Sequence, residues 1–73
     1  MIREICRLHS KLQDNEKIVV MMARYDYETS ITKDDDLKIV GGNTLRITRK
    51  SNRTTVINAN YIVTAFIKSK EWY

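Results

Sequence analysis

The stretch from residue 37 to residue 67 constrains the fold most, because three short apolar runs follow one another there with a period of two. The runs are separated by Gly41-Gly42, by the segment 51–53 and by the segment 58–60, which are rich in turn-forming residues. Short alternating runs at this spacing are typical of an antiparallel sheet built from hairpins. The sequence therefore predicts a mainly β fold.

The length of the chain predicts one small domain over residues 1–73. A chain of this size buries only about 60% of its extended-chain surface, so a deep active-site cleft is not expected. The absence of proline argues against linkers and disordered tails. A core this small rarely supplies more than about 3 to 5 kcal/mol of stability, and we therefore expect a homo-oligomer in which self-association adds to it.

Features of export or membrane insertion are not found in the sequence. Cys6 is the single cysteine, which excludes an intramolecular disulfide, and no apolar run approaches the roughly 20 residues that span a bilayer. Residues 1–12 contain no continuous apolar segment and no small-residue cleavage site, and they carry Arg3, Glu4, Arg7, His9 and Lys11, so they belong to the mature fold. These observations predict a cytoplasmic protein without membrane contact.

The pattern of apolar residues predicts one amphipathic helix over residues 2–12, followed by strands within residues 18–67 and a short polar tail over residues 68–73. The segment 18–23 is apolar on both faces of a strand, so it should be covered on both sides, by the core and by either the helix or a second subunit. The tail ends in Trp72 and Tyr73, which either fold back over the domain or anchor a partner.

Residues 55–66 read as a strand, a one-turn kink and a second strand rich in β-branched residues. This segment resembles the second signature of the Sm-like barrels of the Lsm and Hfq family, and one helix followed by five strands fits the same layout. SH3-like folds share this order of elements. The resemblance implies a small five-stranded antiparallel barrel whose fourth and fifth strands pair between subunits to make rings. Rings of basic barrels tend to bind RNA.

The chain differs from that family in two places. The family usually has a glycine where its second strand bends, and residues 28–40 contain none. In the bacterial branch the kink carries a Lys-His pair that helps to hold uridine, whereas Ala59 and Asn60 occupy those places here. A uridine-specific pocket is therefore not expected.

Charge is distributed unevenly along the chain. Residues 18–40 hold three basic and five acidic side chains, whereas residues 41–73 hold six basic side chains and one acidic. The densest basic cluster lies on one predicted strand and the hairpin after it, and phosphates need cations more than they need exact geometry. We therefore predict a non-catalytic module that binds RNA or single-stranded DNA, with these contact residues: Arg46, Arg49, Lys50, Arg53, Asn58 and Tyr61.

The same basic cluster has other interpretations. It can be a solvated hairpin or a charged edge strand that resists aggregation. It can also dock on an acidic partner protein, as in an adaptor or inhibitor of the compact kind encoded by phages and mobile elements. A purely structural assembly subunit is a third possibility. The sequence does not separate these functions, because none of them requires a motif.

For two further sets of side chains we favour a structural role over a functional one. Tyr25 and Tyr27 share one face of a strand and could stack on bases, but tyrosines at the rim of a core are more common. The run of aspartates at 34–36 lacks the spaced ligands and glycine of a calcium loop, so a solvated turn is expected. Alternatively, that acidic turn meets the basic hairpin of a second subunit.

No metal or catalytic site is predicted. Cys6 and His9 are three residues apart on the predicted helix, but a zinc site needs three or four ligands and the chain has no other cysteine or histidine. There is no glycine-rich phosphate loop and no recognisable nucleophile context. We expect no enzyme activity and no cofactor.

Overall fold

The structure, a computed structural model, describes residues 1–23 and 28–69. These residues form one helix, six strands and one turn of 3-10 helix. The predicted class, mainly β with one N-terminal helix, is confirmed. In chain order the elements are α1 (Ile2–Ser10), β1 (Glu16–Met22), β2 (Glu28–Thr32), β3 (Asp36–Val40), β4 (Thr44–Thr48), β5 (Thr54–Asn58), the 3-10 turn (Ala59–Tyr61) and β6 (Ile62–Ser69).

The strands form two antiparallel three-stranded sheets. The first sheet has the order β2-β1-β6 and the second has the order β3-β4-β5. Within the described residues no strand of one sheet is paired with a strand of the other, so the expected closed five-stranded barrel is not confirmed. The strand count rises to six because a turn at residues 33–35 divides the segment 28–40 into β2 and β3.

The apolar core lies between the two sheets and is closed by the helix. Each sheet contributes side chains of alternate residues, as expected for strands with one buried face. The spacing of Ile2 and Ile5 places them on the buried face of α1, and Leu12 follows the helix into the same cluster. The buried cluster consists of Ile2, Ile5, Leu12, Ile18, Val20, Ile31, Leu45, Ile47 and Ile57.

The helix is shorter than the predicted span of 2–12. It ends at Ser10, whose hydroxyl donates a hydrogen bond to the carbonyl of Arg7 at 2.7 Å. The next turn is tightened, because the backbone N–H of Lys11 donates to the carbonyl of Leu8 at 3.1 Å. This turn directs Leu12 into the core, which explains why the apolar period continues past the end of the helix.

The prediction that the first strand is buried on both faces is confirmed for its first half. Ile18 and Val20 belong to the core cluster, while Val19 points to the opposite face and is also buried. On that face Val19 lies between Ser30 of β2 and Phe66 of β6 in the register of the sheet. The helix packs on the core side of β1, so it is not the element that buries Val19.

The two long strands of the first sheet extend further than the sequence indicates. β1 begins at Glu16, two residues before the predicted start of the strands at residue 18, and β6 runs to Ser69, inside the predicted tail. The cause is their pairing, since Glu16 is opposite Ser69 and each strand supplies hydrogen-bond partners for the other. The expected continuation of the strand through Tyr25 and Tyr27, and the placement of Trp72 and Tyr73, lie outside the described residues.

The two hairpins of the second sheet turn where the sequence predicts. Gly41 and Gly42 both have positive φ angles, of 64° and 85°, in the loop between β3 and β4. Asn52 has a φ of 69° in the loop between β4 and β5, a conformation that asparagine tolerates better than most residues. The predicted turn at 58–60 is a 3-10 turn, with the side chain of Asn58 accepting the N–H of Asn60 at 2.9 Å. None of the helices in the described ranges is long and apolar enough to cross a membrane.

The positive φ of Gly41 gives a test of the β3–β4 hairpin. An added Cβ would meet no atom within 4 Å, so any loss of stability in Gly41→Ala comes from the backbone conformation alone. We expect Gly41→Ala to lower the free energy of unfolding by about 1 to 2 kcal/mol, measured by urea denaturation. Gly41→Asn should cost less, because asparagine tolerates this region; equal losses for the two variants would contradict the hairpin geometry.

Candidate nucleic-acid interface

The outer face of the second sheet carries two cations side by side. Lys38 of β3 lies directly opposite Arg46 of β4, and Arg46 lies opposite Val56 of β5. All three side chains are exposed, and Val56 is 60% exposed. Directly opposed residues have Cβ atoms about 5 Å apart, so the two cations present one positive site across two strands.

Lys38 was not among the residues predicted from the sequence, although a signal for it was present. The two-residue period puts Lys38 on the face opposite Leu37 and Ile39, and the glycine hairpin sets the register that brings it to Arg46. Like charges placed directly opposite each other destabilise a sheet. The pairing of Lys38 with Arg46 is therefore one that the sheet alone does not favour.

The loop after β4 carries two more exposed cations, Lys50 and Arg53. We call residues 49–53 the basic hairpin. It is closed by two backbone hydrogen bonds, from the N–H of Arg49 to the carbonyl of Arg53 at 2.7 Å and from the N–H of Asn52 to the carbonyl of Arg49 at 2.9 Å. These bonds hold Lys50 and Arg53 at the end of the second sheet.

Arg49, which we predicted as a contact residue, points into the fold instead. One guanidinium nitrogen, Nη1, lies 2.8 Å from the carboxylate of Asp35 and also donates to the carbonyl of Ser30. The other, Nη2, donates to the hydroxyl of Thr29 at 3.0 Å. The Arg49 side chain is 21% exposed and that of Asp35 only 5%. Arg49 therefore joins β2 of the first sheet to the basic hairpin and is not available as a surface cation.

Asp35 accounts for the turn between β2 and β3. Its carboxylate accepts the backbone N–H of Thr32 at 2.9 Å, and its own N–H donates to the carbonyl of Thr32 at 3.1 Å. The predicted turn is present, and Asp34 and Asp36 are exposed as expected of a solvated turn. For Asp35 the prediction of a solvated carboxylate is wrong, because the side chain is buried against the guanidinium of Arg49.

The remaining two predicted residues lie at the other end of β5 from the basic hairpin. Asn58 ends β5 opposite Thr44, so it shares the outer face of the second sheet with Arg46, one residue pair further along that face. Its side-chain oxygen is engaged with the N–H of Asn60. Tyr61 is 41% exposed and ends the 3-10 turn, where its carbonyl accepts the N–H of Ala23 at 2.7 Å.

The predicted residues thus fall into four groups. Arg46 and Asn58 share the outer face of the second sheet, Lys50 and Arg53 lie on the basic hairpin, Tyr61 lies on the 3-10 turn, and Arg49 is internal. We define the cationic surface as Lys38, Arg46, Lys50 and Arg53. None of these four makes an ion pair within residues 1–23 and 28–69. The sequence from residue 37 to residue 69 contains no aspartate or glutamate, so nothing within that segment offsets their charge.

The helix carries the side chains considered for metal binding, and each has a structural explanation. His9 Nε2 lies 3.0 Å from the carbonyl oxygen of Thr32, so the ring N–H donates to the end of β2. Cys6 packs against the core cluster, and burial raises the pKa of its thiol. The described part of the chain contains no group of three or more potential ligands placed to share a metal ion.

Comparisons with known proteins add no relative to this picture. A scan against protein-family models, a search of curated proteins and a search of solved structures each found no match to the chain.

Removing Arg49 should destabilise the fold, because it leaves the Asp35 carboxylate buried without its cation. We expect Arg49→Met to lower the free energy of unfolding by about 3 kcal/mol, measured by urea denaturation. Arg46→Met is the matched control and should not lower the free energy of unfolding, since Arg46 is exposed and its removal relieves the like-charge contact with Lys38. Similar losses in the two variants would contradict the internal role of Arg49.

The raised pKa of Cys6 predicts a slow thiol. A higher pKa leaves less thiolate at a given pH, and thiolate is the form that reacts. The rate of alkylation by iodoacetamide should therefore rise at a higher pH in the folded protein than in the same chain unfolded in urea. Because folding favours the protonated thiol, this contribution to stability is lost as the pH rises through the folded-state pKa. Coincident rate profiles would contradict the burial of Cys6.

Proposed function

We propose that this protein is a non-catalytic module that binds RNA or single-stranded DNA through the cationic surface. The observation that carries the proposal is the exposed pair of Lys38 and Arg46, directly opposed on neighbouring strands. The pair costs stability when unliganded, and a phosphate would relieve the repulsion. Lys50 and Arg53 place two further exposed cations on the hairpin that follows β4, and phosphates are bound by such charge without exact geometry.

A single-stranded nucleic acid suits this surface better than a small-molecule ligand would. No pocket forms among the described residues, so the cations are presented on an open face. Polar side chains flank them on the same face, with Thr44 and Thr48 on either side of Arg46 and Asn58 one residue pair away. Threonine and asparagine side chains hydrogen-bond to phosphates and sugars in nucleic-acid complexes.

The Sm-like architecture remains part of the proposal, and the strand pairing supports it. If β2 and β3 are two halves of one sharply bent strand, the chain has five strands in the order expected for such a barrel, with the last strand paired to the first. The bend then falls at the turn held by Asp35, in place of the glycine that is missing from residues 28–40.

We further propose that the protein acts as a homo-oligomer. β5 and β6 each lie at the edge of a sheet and pair with one neighbour within the described residues. Exposed strand edges are templates for pairing with another chain. Apolar side chains accompany these edges, since Val56 of β5 and Val63 of β6 are each 60% exposed and Phe66 is 42% exposed. Edge pairing between copies would satisfy the unpaired backbone groups of these strands and place side chains of the neighbouring copy beside the exposed apolar ones.

The same exposed apolar side chains favour the second candidate function, a protein-binding adaptor or inhibitor. Phe66 and Val63 are of the kind that fill pockets on a partner, and the cationic surface would then meet an acidic protein. The two functions differ in what Lys38 and Arg46 contact. A nucleic-acid ligand requires these cations directly, whereas an adaptor would require the apolar side chains as well.

Binding of a fluorescent 20-mer of mixed-sequence RNA, and of the matching DNA strand, tests the proposal by anisotropy over a series of salt concentrations. We expect affinity to fall steeply with salt, with a slope in the logarithmic plot that scales at about 0.7 per neutralised phosphate for single strands. Lys38→Gln/Arg46→Gln should reduce both the affinity and the slope. Arg3→Gln/Lys11→Gln removes the same charge from exposed positions in α1 and directly after it, and is the matched control.

Stability measurements on Lys38→Gln separate binding from a role in solubility or edge protection. Relief of the like-charge pair should raise the free energy of unfolding by about 0.2 to 1 kcal/mol while binding weakens.

If neither oligonucleotide binds and a lysate yields one acidic protein retained by the wild type but not by Phe66→Ser, the adaptor replaces the nucleic-acid module. The solution mass and the ratio of absorbance at 260 and 280 nm of purified protein test the oligomer and any co-purifying nucleic acid.

A further inference from the structure

An acidic residue, Asp35, lies behind the basic hairpin and touches none of the surface cations. It is buried at 5% side-chain exposure and holds the guanidinium of Arg49 at 2.8 Å. Arg49 in turn forms both backbone hydrogen bonds that close the basic hairpin, one through its N–H and one through its carbonyl. A continuous set of contacts therefore connects the Asp35 carboxylate to the base of the loop that carries Lys50 and Arg53.

We propose that Asp35 is a positioning residue for anion binding: through Arg49 it fixes the basic hairpin so that Lys50 and Arg53 are held together at the end of the cationic surface. This inference deepens the proposed function and rests on it for the identity of the ligand. The contacts themselves run from Asp35 through Arg49 to the hairpin that carries Lys50 and Arg53.

The bonds of Arg49 explain why its side chain can set the loop. The guanidinium bridges three partners of β2 and the following turn, namely Thr29, Ser30 and Asp35. The planar fork of arginine makes such bonds in directions set by the group itself, so the Arg49 side chain has little freedom once all are formed. Its backbone is then placed relative to β2, and the basic hairpin starts from that fixed point.

A preset hairpin lowers the cost of binding. Ordering a loop and its long side chains upon association consumes part of the interaction free energy. With Arg49 anchored, the backbone beneath Lys50 and Arg53 is ordered before the ligand arrives. Without Asp35, the guanidinium loses the only carboxylate that the described structure places against it, and the loop loses its anchor.

This role has a counterintuitive consequence for charge. Asp35→Asn removes one negative charge and raises the formal net charge above its value of +4. Simple electrostatics predicts tighter binding of an anion by this variant. The positioning role predicts weaker binding, because two surface cations lose their fixed arrangement.

Asp34→Asn is the matched control, since Asp34 precedes Asp35 in the same turn, is exposed and changes the net charge by the same amount. With the single-stranded RNA used above, we expect Asp34→Asn to bind as tightly as the wild type or slightly more tightly. Asp35→Asn should bind at least threefold more weakly than Asp34→Asn and show a shallower salt slope. The salt slope per folded molecule counts phosphate contacts, so a loss of folded protein alone would not change it.

Thr29→Val provides a second test of the inference in case Asp35→Asn folds poorly. It removes the hydroxyl that accepts from Arg49 at 3.0 Å but leaves every charge in place. We expect a smaller loss of affinity in the same direction. Affinity of Asp35→Asn equal to or above that of Asp34→Asn would overturn the inference, since it would mean that a released Arg49 simply adds a cation. An unchanged Thr29→Val would overturn it when Asp35→Asn does not fold.

Amide hydrogen exchange separates failure of this inference from failure of the proposed function. In Asp35→Asn the N–H groups of Arg49 and Asn52 should exchange at least tenfold faster relative to those of Leu45 and Ile57 in the adjoining ladder. Asp34→Asn should leave this ratio unchanged. If the wild type binds no oligonucleotide but the ratio changes as expected, the nucleic-acid function fails and the anchoring of the basic hairpin stands. If the ratio does not change in Asp35→Asn, the inference fails whatever the protein binds.

Discussion

The apolar contact between two small sheets is the constraint on which the structure depends. A three-stranded sheet cannot bury both of its faces by itself, and each sheet here offers only a few apolar side chains to the other. Helix α1 closes the cluster with Ile2 and Ile5, so a short helix that would be marginal in water is stabilised by packing. The sheets are also joined through polar groups, because Arg49 reaches from the second sheet to β2 of the first.

This arrangement explains why a buried ion pair is found in so small a protein. β2 and the turn at residues 33–35 contact the basic hairpin through polar groups. Burying Asp35 or Arg49 alone would cost several kcal/mol, but together they satisfy each other and the nearby backbone of β2. The hydrogen bonds of this ion pair are directional. They therefore restrict how the two sheets are oriented, which apolar packing alone does not do.

Periodicity predicted most of the second sheet. The alternation of Leu45 and Ile47 with Thr44, Arg46 and Thr48 placed β4 and its two faces correctly, and Gly41-Gly42 placed the hairpin before it. The same two-residue period also indicates the direction of Arg49. Its position continues the series of Leu45 and Ile47, so its side chain faces inward. We assigned it to the surface because it belongs to the densest basic cluster of the sequence, and that grouping takes no account of a buried carboxylate 14 positions earlier in the chain.

Sequence reasoning could not provide the long-range pairs. Nothing local indicates that Asp35, alone among three consecutive aspartates, is buried, since that depends on where the basic hairpin lies in space. The extents of β1 and β6 were missed for a similar reason, because each strand is lengthened by a partner far away in the chain. The cationic pair was half predicted: Arg46 came from composition, whereas Lys38 required the register of the hairpin.

The pairing of β1 with β6 bears on the order in which the chain folds. β3, β4 and β5 are consecutive and joined by tight hairpins, so their sheet can form from neighbouring segments soon after they are made. The first sheet needs β6, which is synthesised long after β1. Until then the apolar segment around Val19 and Val20 has one edge unpaired on the ribosome. The interval before β6 emerges is when this chain is most exposed to misassembly with other nascent chains.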